Sequence, residues 1–144
     1  MVKFPMKFEV IAAASSGMGT PWTSQTDQFP PIPCAVPAEF MGPGGAYSPE
    51  DLFALSILNC IIATFKVYAE KGKVSFKTIK GKAQLTVDKL VDQPGFGMTH
   101  IDIALDIENA SDPERVRHVL EHAIKDCAVS NSIKTGKTFH INVS

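Results

Sequence analysis

The chain has 144 residues, of which 44% are hydrophobic and 20% are charged. This length and balance suit one compact globular domain with a real core, and they argue against intrinsic disorder. Its 14 basic and 15 acidic residues give a formal charge of -1. The chain therefore has no basic stripe with which to bind nucleic acid.

The expected location of the protein follows from its apolar stretches and its cysteines. The longest apolar stretch, residues 52–65, is interrupted by polar residues and is too short to cross a bilayer, so we expect no membrane span. Near the N-terminus, residues 10–14 are shorter than the apolar region of a secretory signal. Three cysteines, an odd number, fit a reducing compartment. We expect a cytoplasmic protein.

The N-terminal third contains one possible strand and a long irregular region. Phe4, Met6, Phe8 and Val10 alternate with other residues, which predicts a strand, and Pro5 places that strand at a sheet edge. Residues 13–45 are rich in glycine and proline, which favours short strands within loops.

The clearest element begins at Ser48, which can cap a helix whose first turn contains Pro49, Glu50 and Asp51. The pattern predicts a helix over residues 49–71 that ends at Gly72. Apolar residues occur around nearly the whole helix, which predicts burial on all sides. They are Leu52, Phe53, Leu55, Ile57, Leu58, Ile61, Ile62 and Phe65.

The remaining residues predict two strands, a second helix and a closing strand. The first strand covers about residues 76–87 with a bulge near Gly81, and the second covers residues 101–107 after a turn at 93–95. Asp112 begins an amphipathic helix whose apolar face ends at Cys127, and alternation over residues 139–143 gives the last strand. This order predicts an α+β fold in a single domain, with a strand and loop region over 1–45 and a helix-strand-strand-helix-strand region over 46–144.

Cys60, midway along the first helix, and Cys127, at the end of the second, should both point inward. A buried cysteine is most often a small core residue, so neither is strong evidence of chemistry when taken alone. Cys34 lies among prolines in a predicted loop and could be an exposed free thiol without a catalytic role.

Three segments give these cysteines a context: Gly44-Gly-Ala-Tyr-Ser-Pro-Glu-Asp-Leu-Phe53, then Asn59-Cys60, then Cys127-Ala-Val-Ser-Asn-Ser132. In this order they resemble the signature segments of the OsmC/Ohr peroxidase family. The resemblance extends from about Gly42 to the C-terminus. It implies an OsmC-like α+β fold, in which antiparallel sheets surround a long buried central helix, and an intertwined homodimer.

The resemblance also implies an activity, a thiol-dependent reduction of organic hydroperoxides without a cofactor. Cys60 would attack the peroxide and become a sulfenic acid, Cys127 would then form a disulfide with it, and an external dithiol would reduce the disulfide. Glu50 matches the family glutamate that orients an arginine. Stabilisation of the helix dipole explains an acid there equally well on helix statistics alone, and the family match favours the functional role. Leu52, Phe53, Leu55 and Ile61 are candidates for an apolar substrate pocket or are plain core residues.

The chain departs from the family pattern in one respect, because the activating arginine of the N-terminal strands is absent. Its only arginines are Arg115 and Arg117 in the second helix, although Lys3, Lys7 or Lys66 could supply a charge. We therefore expect the Cys60 thiol to be less acidic than is usual in the family. Two alternatives stay open: a protein without peroxidase activity that binds an apolar small molecule or senses thiol oxidation, and a structural dimer with inert cysteines.

Two further patterns bear on the site. His118, Glu121 and His122 match a zinc-binding spacing, but they lie opposite the apolar stripe of their helix and should be solvated, so we expect no metal site. Glu50 and Cys60 are ten residues apart, about 15 Å along one straight helix. If Glu50 acts at Cys60, it must therefore come from a partner chain, unless the helix bends.

Overall fold

The computed structural model describes residues 2–144 and has an α+β architecture, as the sequence predicts. In chain order the elements are β1 (Ile11–Ala13), β2 (Trp22–Gln25), β3 (Ile32–Cys34), a short 3-10 helix (Ala38–Phe40), α1 (Pro49–Lys71), β4 (Thr78–Lys89), β5 (Phe96–Glu108), α2 (Pro113–Lys125), α3 (Ala128–Asn131) and β6 (Gly136–Val143). They form two compact units, one ending at Leu52 and the other running from Phe53 to Ser144. The expectation of a single domain stays a prediction.

The first unit contains a small antiparallel sheet in the order β1-β2-β3. Its strands have three or four residues, as expected for a segment rich in glycine and proline. The predicted strand at residues 4–10 is wrong, since the first strand begins at Ile11 and the side chains of Phe4 and Phe8 are 82% and 88% exposed. Alternation marks these residues as suited to a strand, but a strand also needs a neighbouring backbone and a face to bury.

Helix α1 has the predicted bounds, and its N-terminus is capped by two reciprocal hydrogen bonds between Ser48 and Asp51. The Asp51 N–H donates to Ser48 Oγ, and the Ser48 N–H donates to Asp51 Oδ2, each at 3.0 Å. The helix ends where predicted, and the Gly72 N–H donates to the Tyr68 carbonyl at 2.8 Å.

Burial of α1 differs from the prediction. Within one chain only the stripe Ile57, Ile61, Phe65 and Ala69 is buried, while Leu55 and Val67 are among the exposed residues. By length and composition this helix could cross a membrane, contrary to our expectation, with a mean hydropathy of 1.8 over its most apolar segment. The core helix of a soluble protein passes the same test.

The second unit contains a sheet in the order β4-β5-β6. Strand β5 runs antiparallel to β4 and parallel to β6, and the parallel pair departs from the antiparallel sheets that we expected. The reason is that α2 connects β5 to β6 as a crossover, which returns the chain in the same direction. The inward residues of β5 form the core together with α1 and α2: Ile101, Ile103, Leu105 and Ile107.

The predicted bulge near Gly81 is absent, since β4 and β5 pair regularly there and the register shifts between Thr86 and Val87. Gly81 has a packing role instead. A Cβ at this position would lie 2.6 Å from Leu58 Cδ1, so the glycine lets α1 approach the sheet closely.

Candidate functional site

Helix α1 places Cys60 at the edge of the core. The residue is partly buried, next to the fully buried Ile61 and three positions from the fully buried Ile57. Its carbonyl oxygen accepts a hydrogen bond from Thr64 Oγ1 at 2.8 Å, so the side chain one turn later is also oriented toward it. The Cys60 sulfur is therefore held on a rigid helix between apolar surroundings and solvent.

Cys127 lies in the junction between α2 and α3. Helix α2 ends at Lys125, two residues before Cys127, where its apolar face was predicted to end. Cys127 has extended backbone angles and is the N-cap of the short α3. The Ser130 N–H donates to Cys127 Sγ at 3.4 Å. The side chain of Cys127 is thus fixed by its own capping bond, and it is fully buried.

Two hydrogen bonds hold this junction in place. The Tyr68 hydroxyl in α1 donates to Asp126 Oδ2, and Asn131 Nδ2 donates to the Lys125 carbonyl at 2.8 Å. The first bond joins the junction to α1 two turns after Cys60, and the second satisfies a carbonyl at the end of α2. Together they set where Cys127 meets α1.

The structure brings the two predicted thiols together. Cys127 lies in the core cluster and Cys60 packs against it. Each thiol shifts the pKa of the other, and the main-chain N–H groups of Val129 and Ala128 lower the pKa of Cys60. All three cysteines, including Cys34, are free thiols. Cys60 and Cys127 are therefore a pair of free thiols within one core cluster.

The two thiols have opposite acidities. Burial raises the pKa of Cys60, but the hydrogen bonds from the Val129 N–H, Cys127, Thr64 and the Ala128 N–H lower it more, so this pKa lies below the usual cysteine value. Burial, followed by the hydrogen bond to Cys60, raises the pKa of Cys127 to about 11. Cys60 is therefore the thiol that ionises first.

The sequence predicts a Cys60 thiol that is less acidic than is usual in the family, because the family's arginine is absent. The pKa of Cys60 nevertheless lies below that of a free thiol, and the largest cause that lowers it is the main-chain N–H of Val129. Composition cannot reveal such a main-chain donor. One signal for these main-chain donors is present in the sequence. In the Cys127-Ala-Val-Ser130 segment, Cys127 can cap the N-terminus of a short helix, whose first N–H groups are free to donate. The comparison with family members that have the arginine stays a prediction.

The two arginines are engaged elsewhere. One guanidinium nitrogen of Arg115 donates to the Gly72 carbonyl at 2.6 Å, and one of Arg117 donates to the Ile141 carbonyl at 3.0 Å. Lys3, Lys7 and Lys66 are all exposed. Neither arginine replaces the missing family arginine.

Glu50 stands in the first turn of α1 and is not brought to the Cys60 sulfur by a bend. The helix is unbroken from Pro49 to Lys71, so about 15 Å of helix axis separates the two residues. Glu50 Oε2 is buried and has no hydrogen-bond partner among residues 2–144. A buried carboxylate oxygen without a donor is costly, so this atom is suited to a partner from outside the chain.

Cys34 is not the exposed loop thiol that the sequence suggested. It ends β3 and is only 2% exposed, and its sulfur donates to Ser24 Oγ at 3.5 Å. Its strand pairs with β2, which aligns it with Trp22. Cys34 is a packed residue of the first unit.

The side chains with the zinc-like spacing, His118, Glu121 and His122, are accessible to solvent, as expected. The side chain of His118 is 74% exposed, and its only ion pair among the described residues is with Glu121 at 3.8 Å. Residues 2–144 contain no group of three or more histidine, cysteine, aspartate or glutamate side chains that could hold a metal ion.

The predicted pocket residues have different environments. Ile61 is part of the core and Leu55 is 39% exposed, whereas Phe53 lines a cleft of about 660 Å³. The cleft also contains apolar and charged residues of the β4–β5 loop and of the segment before β6: Lys89, Leu90, Val91, Asp92, Gln93, Met98, Thr99, Ile133, Lys134 and Thr135. Phe53 and Cys60 are seven residues apart, so they lie on the same side of α1.

Structural comparison shows the same fold in bacterial proteins of low sequence identity. An OsmC-like protein of unknown function from Vibrio cholerae is 15% identical and superposes with a TM-score of 0.83, covering 95% of this chain and 99% of its own. An organic hydroperoxide resistance protein OsmC from Legionella pneumophila, described as a predicted redox protein, is 23% identical with a TM-score of 0.70, covering 97% and 99%.

A putative organic hydroperoxide resistance protein from Vibrio cholerae, with captopril bound in one of its active sites, is also 23% identical with a TM-score of 0.70, covering 99% of this chain and 95% of its own. No curated protein sequence matches the chain. The sequence profile described as "OsmC-like protein" matches residues 42–142, which is more than half of the chain and includes Cys60 and Cys127. The chain therefore belongs to the OsmC-like protein family, whose members are soluble.

Proposed function

We propose that this chain is a thiol-dependent peroxidase that reduces organic hydroperoxides through Cys60. The observation that carries the proposal is that two thiols with opposite acidities lie in one core cluster, where each shifts the pKa of the other. A peroxidase of this kind needs one readily ionised thiol to attack and a second, protonated thiol beside it to capture the product.

The proposed reaction has three steps. The Cys60 thiolate attacks the outer oxygen of the hydroperoxide, which breaks the O–O bond, forms the Cys60 sulfenic acid and releases an alkoxide that takes a proton to become the alcohol. The Cys127 sulfur then attacks the sulfenic sulfur, which forms the disulfide and releases hydroxide or water. An external dithiol restores both thiols by exchange.

The surroundings of Cys60 support an organic substrate. The thiol lies beside fully buried aliphatic residues of α1, and Phe53, on the same side of that helix, lines a cleft that contains both apolar and charged residues. Apolar walls favour an alkyl hydroperoxide over hydrogen peroxide because burial of the alkyl group is favourable.

We further propose that the working protein is a cytoplasmic homodimer. Exposed apolar side chains on α1, including Leu55 and Val67, and near the N-terminus, including Phe4 and Phe8, support a second copy as the covering partner. The unpartnered Oε2 of Glu50 supports the same assembly, because a partner chain can bring a donor that this chain lacks.

A second candidate function is binding of an apolar small molecule, or sensing of thiol oxidation, without rapid turnover. The observation that favours it is that both arginines are bound to carbonyl groups, so no guanidinium activates the peroxide. The same pair of thiols would then form its disulfide slowly, as a record of oxidation.

Incubation of the reduced protein with cumene hydroperoxide and an excess of dithiothreitol distinguishes the two candidates. We expect alcohol to form over many turnovers, activity to be lost in Cys60→Ser, and activity to persist in the matched control Cys34→Ser, whose sulfur is packed in the first unit. A single stoichiometric oxidation without turnover would favour the sensor, and unchanged thiols would favour a binding protein.

A further inference from the structure

The junction between α2 and α3 has little hydrogen-bonded support of its own. Helix α2 has ended before Asp126, and α3 is a single turn, Ala128–Asn131. Between them, the Asp126 N–H donates to the His122 carbonyl at 3.1 Å, and the Cys127 N–H donates to the Ile124 carbonyl at 3.4 Å. A one-turn helix is not stable by itself, so contacts with other elements must fix the position of Cys127.

Tyr68 supplies such a contact from α1. Its hydroxyl donates to Asp126 Oδ2 at 2.5 Å, so the residue directly before Cys127 is tied to the central helix. Its ring also packs against the His122 ring in the last turn of α2, with 5.6 Å between the ring centroids. One side chain of α1 therefore holds both the end of α2 and the residue that precedes Cys127.

The hydrogen bond between Tyr68 and Asp126 can be removed without disturbing the core. The bond lies at the protein surface, whereas Cys127 is fully buried. Because Asp126 accepts the hydroxyl proton, the pKa of Tyr68 is raised above the usual tyrosine value, and the hydroxyl stays protonated throughout the physiological pH range. Tyr68→Phe removes only the hydroxyl oxygen, so it breaks the bond and leaves the ring contact with His122.

We propose that Tyr68 is a positioning residue for disulfide formation: its hydrogen bond to Asp126 holds Cys127 in place for attack on oxidised Cys60. This role rests on the proposed function. The geometry of a disulfide is narrow, with α-carbons within ~7 Å, so a displaced junction slows the attack. Tyr68 and Cys60 are both in α1, about 12 Å apart along its axis, so Tyr68 acts through the position of Cys127.

Thiol exchange with dithiobis(nitrobenzoate), a chromogenic disulfide, tests this role without any peroxide. The Cys60 thiolate attacks the reagent, which forms a mixed disulfide and releases one coloured thiolate ion. The Cys127 thiolate then attacks the Cys60 sulfur, which forms the Cys60–Cys127 disulfide and releases a second coloured ion. The rate of the first release depends on the reagent concentration, and that of the second does not. All variants also contain Cys34→Ser, so that no third thiol reacts.

We expect Tyr68→Phe to leave the first release unchanged and to slow the second about tenfold, the effect of one lost hydrogen bond. Asp126→Ala should slow the second release equally, and the double variant should be no slower than either single one, because both changes remove the same bond. The matched control Asp126→Asn keeps an oxygen acceptor and should retain most of the rate. An unchanged first release shows that α1 and Cys60 remain folded in each variant.

A second measurement uses cumene hydroperoxide. Tyr68→Phe should form the Cys60 sulfenic acid at the parental rate but accumulate more sulfinic acid, because slower disulfide formation leaves the sulfenic acid exposed to further oxidation. A second release at the parental rate in Tyr68→Phe, or additive losses in the double variant, would overturn the role of Tyr68. Because thiol exchange uses no peroxide, that result is distinct from a failure of the proposed function, which loss of hydroperoxide turnover in the parent protein would reveal.

Discussion

Limited alkylation at neutral pH should modify Cys60 well before Cys127, and the structure gives the size of this preference. The pKa of Cys127 is about 11, about two units above the usual cysteine value, and that of Cys60 lies below the usual value. Each pH unit corresponds to tenfold in ionisation, so the thiolate fraction of Cys60 exceeds that of Cys127 by at least ~100-fold at neutral pH.

Part of this advantage is lost because a less basic thiolate is also a weaker nucleophile. With a Brønsted slope of about 0.4–0.5, a gap of two units lowers the intrinsic reactivity by roughly tenfold. The net preference for Cys60 is therefore about tenfold from ionisation and nucleophilicity together. Burial increases it further, since Cys127 is fully buried whereas Cys60 is only partly buried.

The assay treats the reduced protein at pH 7.5 with less than one equivalent of iodoacetamide and compares the alkylated peptides by mass spectrometry. Cys60 should carry at least about ten times as much label as Cys127. The preference should begin to shrink once the pH exceeds the pKa of Cys60, and it should continue to shrink as the pH approaches 11. Equal labelling of the two residues at pH 7.5, in protein whose folding is verified by circular dichroism, would refute the assignment of Cys60 as the more acidic thiol.

Three further outcomes are expected. Treatment of the reduced protein with one equivalent of organic hydroperoxide should produce a Cys60–Cys127 disulfide in peptide maps, and a dominant bridge to Cys34 would contradict the proposed pairing. Light scattering on serial dilution should show a dimer that does not give a folded monomer. Ser48→Ala should lower the free energy of unfolding in urea by about 1 kcal/mol, because the Asp51 N–H loses its capping oxygen, while the control Ser56→Ala, exposed on the same helix, should change it by less than about half as much.

The bounds of α1 could be predicted from the sequence because local chemistry determines them. Ser48 and Asp51 satisfy each other's N–H groups at one end, and Gly72 follows the last residue at the other. Neither signal depends on distant parts of the chain. The same is true of α2, where Asp112 accepts a hydrogen bond from the Arg115 N–H as its spacing suggests.

Features that depend on a neighbour could not be predicted in this way. The alternation of residues 4–10 is real, but a strand forms only beside another backbone, and the described strand begins at Ile11. The direction of β6 depends on the route of α2, and the position of the register shift depends on how β4 and β5 align.

The site was predicted in part. Its two thiols could be identified because the resemblance assigns roles to Cys60 and Cys127, and the structure places both in the same core cluster. Among the groups that lower the pKa of Cys60 are the main-chain N–H groups of Val129 and Ala128. The direction of a main-chain N–H group cannot be read from the identity of its residue. That direction depends on the one-turn helix α3, which is too short to give a periodic pattern.

The capping bond from the Ser130 N–H to Cys127 has a consequence for the proposed disulfide. A four-residue helix has almost no stability of its own, so α3 depends on the sulfur that caps it. We expect the same sulfur to cap α3 less well once it is bonded to Cys60, because the disulfide fixes its direction. The amide exchange rate of Ser130 should therefore rise when the thiol pair is oxidised.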